Sequence, residues 1–193
     1  LETNINIFIS LIIEMCGITG VFGKEIVQSR KLYKKMVAVL DHRGPDDQGI
    51  LLEKNVFLGS TRLSILDLSK NGHQPMFDKD QKIGIAYNGE IYNFKELRKE
   101  LENLGHKFNS GTDTEVIIYA YKEWGIDSVK RLNGMFAFAL WDSEKNKIYL
   151  VRDQFGIKPL YYAILDGIII FASEIKSVLL YPGIKRILNP LAV

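Results

Sequence analysis

Cysteine is nearly absent from this sequence: Cys16 is the single one in 193 residues. A lone thiol closes no intrachain disulfide and builds no multi-cysteine zinc site, and such usage fits a reducing interior, so a cytoplasmic location is expected. Long hydrophobic runs are missing too. The apolar stretch 5–13 is far shorter than the ~18–20 residues that span a bilayer. Glu2 ahead of it and Glu14 and Met15 behind it provide neither the cationic flank nor the small-residue cleavage site of a secretory signal. Charge of one sign is scarce, since Lys+Arg 25 against Asp+Glu 23 leaves a net +2. That balance excludes a dedicated nucleic-acid or acidic-membrane binder, which needs clustered cations. The sequence also lacks a phosphate-binding loop, a nucleophile elbow and a zinc-binding His-Glu-x-x-His helix, and Gly17, Gly20 and Gly23 do not match dinucleotide spacing. His42, His73 and His106 lie about thirty residues apart and form no local metal motif, so no metal site is expected.

What remains has the length of one domain, and its 47% hydrophobic and 25% charged residues are globular averages. Small apolar residues from Cys16 to Phe22 read as a strand, and Leu32, Tyr33, Met36, Val37 and Leu40 recur at helical spacing after it. Gly44 and Pro45 end that helix in a polar loop, Asp41-His42-Arg43-Gly44-Pro45-Asp46-Asp47. Short strands are expected at 49–52, 56–60 and 82–87, as an antiparallel meander. Asn93 with Glu96 reads as a capping box ahead of a helix lined by Phe94, Leu97, Leu101 and Leu104, and a second helix fits 114–124, stopped by Gly125. The run 135–141 has no polar alternation, so as a strand it must be buried on both faces. Asp166-Gly167 predicts a tight turn between strands 160–165 and 168–172. Continuously apolar strands need cover on both sides, which predicts an α+β fold: a four-layer α/β/β/α sandwich of two mainly antiparallel sheets.

Three groups of residues carry chemistry. Met15-Cys16-Gly17 places the lone cysteine directly after a methionine. If Met15 is removed, Cys16 becomes the amino terminus, and its own α-amino group, with a reference pKa of ~7.7–8.0, can accept and return the thiol proton. Cys16 also reads as a small buried hydrophobe. In Asn88-Gly89-Glu90 a side-chain amide and an unobstructed backbone N–H stand side by side, as an oxyanion hole requires, although Asn-Gly is equally a hairpin turn. Arg62 can clamp a carboxylate and Asp113 an ammonium group, which suits a zwitterionic ligand. The bland alternatives are a solvated arginine and a helix-capping aspartate.

Together these segments resemble the class II glutamine amidotransferases of the N-terminal nucleophile hydrolase superfamily, and most of all the glutaminase domain of asparagine synthetases. The resemblance is carried by Met15-Cys16-Gly17-Ile18, His42-Arg43-Gly44-Pro45-Asp46, Arg62-Leu63-Ser64-Ile65, Asn88-Gly89-Glu90-Ile91-Tyr92-Asn93, Gly111-Thr112-Asp113-Thr114-Glu115, Gly134-Met135-Phe136-Ala137-Phe138, and Arg152-Asp153 with Gly156-Ile157-Lys158-Pro159-Leu160-Tyr161. It implies that Cys16 is the nucleophile that hydrolyses glutamine and that Asn88 and Gly89 form the oxyanion hole. It further implies that Arg62 holds the substrate carboxylate and that Asp113 and the region of Glu90 hold its ammonium, with main-chain groups around Leu63, Ile65 and Leu66 completing the pocket.

The resemblance divides the chain into an extension, 1–15, read as a start-site artefact or pro-segment, and an amidotransferase domain, 16–193. As written, the chain is expected to be inactive until Cys16 leads it. No cofactor is implied for the glutaminase half; ATP and Mg2+ belong to a carboxy-terminal synthetase domain that is absent here. The implied partners are glutamine and that synthetase domain, in cis or in trans, with no nucleic acid and no membrane, and with homodimerisation left open. Ammonia released from glutamine would amidate aspartate. The alternatives are an amide synthetase with another acceptor and a non-catalytic regulatory copy of the fold. The loops around His42 and Lys158 match by pattern alone, without a derived role.

Overall fold

The computed structural model describes residues 15–64, 67 and 69–187. In chain order the elements are β1 (Gly17–Phe22), α1 (Arg30–Ala38), β2 (Asp47–Leu52), β3 (Val56–Arg62), β4 (Met76–Phe77), β5 (Ile83–Ile91), α2 (Phe94–Asn103), α3 (Asp113–Trp124), β6 (Gly134–Asp142), β7 (Lys147–Arg152), β8 (Tyr161–Leu165), β9 (Ile168–Ala172) and α4 (Ile175–Val178). Short 3-10 turns span Asp41–Arg43, Lys70–Gly72 and Gly125–Arg131. One sheet runs β2-β3-β1-β9-β8 and the other β4-β5-β6-β7, and neighbouring strands are antiparallel throughout.

The apolar run in β6 explains how the sheets stack. Successive strand residues point to opposite faces. Phe136, Phe138 and Leu140 join Ile85, Tyr87 and Ile91 of β5 beneath α2 and α3, whereas Ala139 and Trp141 meet Ile18, Leu58 and Phe171 of the other sheet. Both faces of β6 are therefore buried, as its lack of polar alternation requires. On the outer face of the five-stranded sheet, Tyr33, Met36 and Val37 of α1 and Val178 of α4 pack on Val21, Phe57 and Ile170, with the Tyr33 and Phe57 rings stacked at 4.0 Å. Each such side chain removed from water contributes about 1.5–3 kcal/mol. The layers are thus helix, sheet, sheet, helix, as expected. No helix of the described residues is long and apolar enough to cross a membrane.

Local chemistry accounts for the element ends. Ser29 caps α1 by accepting the Leu32 N–H at 3.3 Å, and Thr112 caps α3 by accepting that of Glu115 at 3.3 Å. Asp166 and Gly167, at φ 49 and 78, form the tight turn between β8 and β9. Two expectations fail. The strands at 49–52, 56–60 and 82–87 do not form one meander: β2 and β3 pair with each other, but β5 crosses to the second sheet. Asn93 makes no cap bond with Glu96 behind it. Its amide donates to the Arg131 carbonyl and accepts the Asn133 N–H, both at 2.9 Å, and so ties the start of α2 to the entry of β6. Two long-range partners outcompete the single local one.

Candidate active site

Cys16 stands at the mouth of the gap between the sheets, fixed by the bonds that anchor β1. The Gly17 N–H donates to Thr61 Oγ1 at 3.1 Å and the Ile18 N–H to Ser173 Oγ at 3.0 Å. Cys16 Sγ meets both backbone groups of Leu63, accepting from its N–H at 3.4 Å and donating to its carbonyl at 3.7 Å. Burial pushes the thiol pKa up, with the Leu63 N–H and the Arg62 charge opposing.

The His42 to Asp46 loop, for which the sequence offered no role, holds this arrangement from behind. Arg43 is buried and donates from Nε to the Cys16 carbonyl at 3.2 Å, while its Nη1 reaches Glu174 Oε1 at 3.1 Å. Glu174 also takes His42 at 2.8 Å and Lys176 at 2.9 Å. Gly44 packs so tightly that a Cβ there would lie 2.6 Å from the Arg62 backbone. The Asp46 N–H donates to the Arg62 carbonyl at 3.1 Å and its carboxylate accepts the Ser64 N–H at 2.8 Å. Leu63 is thereby held on both sides. The unusual run of polar residues around Gly44-Pro45 was the available signal, but its contacts lie outside local sequence.

Asn88 and Gly89 lie within β5, paired with Ala137 and Phe136, so the hairpin reading of Asn-Gly is wrong. Alternate N–H groups of a strand point to the same edge. Those of Tyr87 and Ile91 point away from β6 and are taken by Gln74 Oε1 at 2.7 Å and Asp113 Oδ2 at 2.9 Å. The Gly89 N–H between them points the same way, where β4 no longer reaches, because β4 pairs only with Gly84 and Ile85. Asn88 is 1% exposed, and its Nδ2 has no partner among the described residues. Buried donors are rarely left unpaired, so two adjacent free ones mark a site for an acceptor.

Gly89, Glu90, Cys16, Leu63, Arg62 and Asp113 line one cleft, and Tyr87, Gln74 and Thr112 complete its wall. Asn88 is buried one residue behind the lining. Arg62 is buried, not a solvated strand residue; it donates to the Ser69 carbonyl at 3.5 Å and to that of Asp67. Asp113 is the first residue of α3 but not its cap, a role Thr112 fills. Asp113 Oδ2 accepts the Tyr87 hydroxyl at 2.6 Å as well as the Ile91 N–H. Burial raises the Asp113 pKa against these bonds, and burial followed by the Asp113 charge raises that of Tyr87. Asp67, whose carbonyl takes Arg62, also accepts the Gly111 N–H at 3.0 Å and so ties its loop to the turn before α3. The expected contributors Ile65 and Leu66 lie outside the described residues.

The chain matches the model of a family described as the glutamine amidotransferase domain over residues 15–193. It is 44% identical over 175 residues to glutamine-hydrolysing asparagine synthetase 3 of Bacillus subtilis, covering 89% of this chain and 28% of that protein. Against glutamine-hydrolysing asparagine synthetase 1 of Arabidopsis thaliana it is 40% identical over 166 residues, covering 84% and 28%. It therefore spans little more than a quarter of the length of these relatives. The fold is shared with the solved structure of glutamine phosphoribosylpyrophosphate amidotransferase from B. subtilis, with a TM-score of 0.71 at 22% identity, over 86% of this chain and 43% of that one. Two sandwiched sheets, a cysteine at the head of the central strand and a match along nearly the whole chain agree: this chain belongs to the glutamine amidotransferase domain family.

Proposed function

We propose that this domain hydrolyses glutamine to glutamate and ammonia, acting as the glutaminase half of an asparagine synthetase. The observation that carries the reading is the convergence on one cleft of the Cys16 thiol, the free Gly89 N–H, a buried guanidinium and a buried carboxylate. Arg62 takes the α-carboxylate of glutamine, and Asp113 with Glu90 takes its α-ammonium. That clamp leaves the side-chain amide directed at Cys16. Leu63 supplies the adjoining wall.

The reaction needs a base near Sγ, and in a chain led by Cys16 the α-amino group is that base. The thiol proton passes to the amine, and the sulfur attacks the amide carbon. The carbonyl oxygen takes up the negative charge facing Asn88 Nδ2 and the Gly89 N–H, donors worth roughly 10²–10³ in rate each. Collapse expels the nitrogen, which leaves as ammonia after taking the proton back from the α-ammonium. A γ-glutamyl thioester remains on Cys16, and water, deprotonated by the same amine, cleaves it to glutamate and the free thiol. The ammonia serves amidation of aspartate in a synthetase half, where ATP and Mg2+ act. Such a protein belongs in the cytoplasm, where a lone thiol stays reduced.

The test compares a chain beginning at Leu1 with one beginning at Cys16, following glutamate release from glutamine. Every strand and helix of the described residues starts at Gly17 or later, so the shorter chain keeps both sheets and the helices packed on them. Hydrolysis by the Cys16-led chain, abolished by Cys16→Ala, is the expected result. Equal hydrolysis by the Cys16→Ala protein would overturn the assignment of the nucleophile.

A further inference from the structure

The segment Arg152 to Tyr161 has no part in the cleft, yet its hydrogen bonding serves one residue. Asp153 accepts the N–H groups of Phe155 at 3.1 Å, Ile157 at 2.9 Å and Lys158 at 3.0 Å, and Arg152 Nε donates to the Lys158 carbonyl at 2.7 Å. Asp153 also accepts the Phe136 N–H at 3.3 Å, which fastens the loop to β6. The loop so pinned drives the Lys158 side chain inward, leaving the residue 4% exposed. No carboxylate of the described residues lies within the 4.0 Å of an ion pair; the ammonium meets the thioether sulfur of Met15. A buried lysine without an anion is costly, so a rigid loop that builds one calls for a use.

Its position suggests that use. Met15 immediately precedes Cys16, so a cation against the Met15 side chain stands on the amino-terminal side of the nucleophile, and Lys158 is not among the residues that line the cleft. We propose that Lys158 is a positioning residue of the glutaminase site, whose buried ammonium keeps the α-amino group of a Cys16-led chain neutral and ready to accept the thiol proton. This rests on the glutaminase reading above. The charged groups that face Lys158 are Glu90, Cys16, Arg43 and Asp153. Burial lowers the Lys158 pKa, with Glu90 and Cys16 acting to raise it and Arg43 to lower it further. Arg43 is a second cation on the same side, bonded to the Cys16 carbonyl, and the Glu174 carboxylate offsets part of its charge. Lys158 makes no direct ion pair among the described residues, and Glu90 and Asp153 act on it only from a greater distance. A cation about one side chain away disfavours a second positive charge, and in a partly buried setting the expected depression of the amine pKa is about one unit.

The test uses the Cys16-led chain with Lys158→Met, which keeps length and removes charge, and Lys158→Arg, which keeps charge. Glutamine kcat/KM is measured from about pH 5 to 9, and Cys16 alkylation by iodoacetamide over the same range. The Met variant is expected to shift the acid limb of both profiles upward by about one unit and to recover near-parental rates at high pH, while the Arg variant stays near the parent. An unmoved midpoint in a folded Met variant overturns the proposal, whatever its plateau. Should the Met variant not fold, the parent alone decides, since an acid-limb midpoint at or above the reference ~7.7–8.0 also overturns it. If the parent alkylates but does not hydrolyse glutamine, the glutaminase reading fails, while the alkylation midpoints still decide the role of Lys158.

Discussion

Gly72→Ala is expected to uncouple substrate binding from nucleophile reactivity. Gly72 is buried in the turn Lys70–Gly72 against the Arg62 guanidinium. A Cβ there would overlap Arg62 Nη2 and stand 2.6 Å from Cζ and 2.9 Å from Nη1. Carbon contacts relax to about 3.5 Å, so the guanidinium must withdraw by roughly 1 Å. The obstacle is the far end of a flexible side chain rather than backbone, so the fold should absorb the change. Catalysis should not, because a misplacement of about 1 Å in a positioning group costs on the order of 10²-fold, and a charged hydrogen bond is worth about 1.5–3 kcal/mol. Steady-state glutamine hydrolysis by the Cys16-led chain should show kcat/KM reduced by about 10–100-fold, mostly through KM. Iodoacetamide alkylation of Cys16 should stay within about twofold, because Sγ is held by the backbone N–H and carbonyl of Leu63 rather than by the Arg62 side chain. A kcat/KM within about twofold of the parent would refute the placement of Arg62 on the substrate carboxylate. So would a parallel loss of alkylation, which would mean that the turn supports the nucleophile instead.

Two further outcomes follow from the same geometry. Asn88→Ala removes a buried donor that has no partner to orphan, so thermal stability should change little while kcat falls by about 10²–10³; a fall under threefold would remove Asn88 from the oxyanion hole. Burial alone would raise the Glu174 carboxyl, but Lys176, Arg43 and His42 hold it down from 4.5 to about 2. A depressed carboxyl contributes stability that is complete above pH 4.5 and lost as pH falls toward 2. After allowance for its partial exposure that contribution is about 1–2 kcal/mol. Urea midpoints of the parent and Glu174→Gln should therefore differ at pH 6 and converge near pH 2, and a constant gap would show that the carboxylate charge is not what counts.

The elements were legible in the sequence where a signal is local. Helical spacing from Leu32 to Leu40 found α1, the absence of alternation in 135–141 found a strand covered on both faces, and Asp166-Gly167 found its turn. Assignment of strands to sheets was not legible, because β2, β3 and β5 have similar apolar patterns and only long-range packing sends β5 to the other layer. The same limit applied at the site. Cys16, Arg62, Asn88, Gly89 and Asp113 could be named from residue type and resemblance. Arg43 could not be assigned a role, since its partners, the Cys16 carbonyl and Glu174, are distant in sequence. Asn93 misled for the converse reason, a local pattern overridden by Arg131 and Asn133.

The open edge of β5 beyond β4 is also an aggregation question. A row of unpaired strand N–H groups is a template on which another chain can add a strand. Here Gln74 occupies the first of three successive outward N–H groups and Asp113 the third, leaving only the Gly89 donor accessible. One isolated donor can grip a substrate oxygen but cannot seed a ladder. The side chains that frame the catalytic donor thus also act as gatekeepers of the sheet, so the molecule keeps a reactive strand edge without offering it to its neighbours.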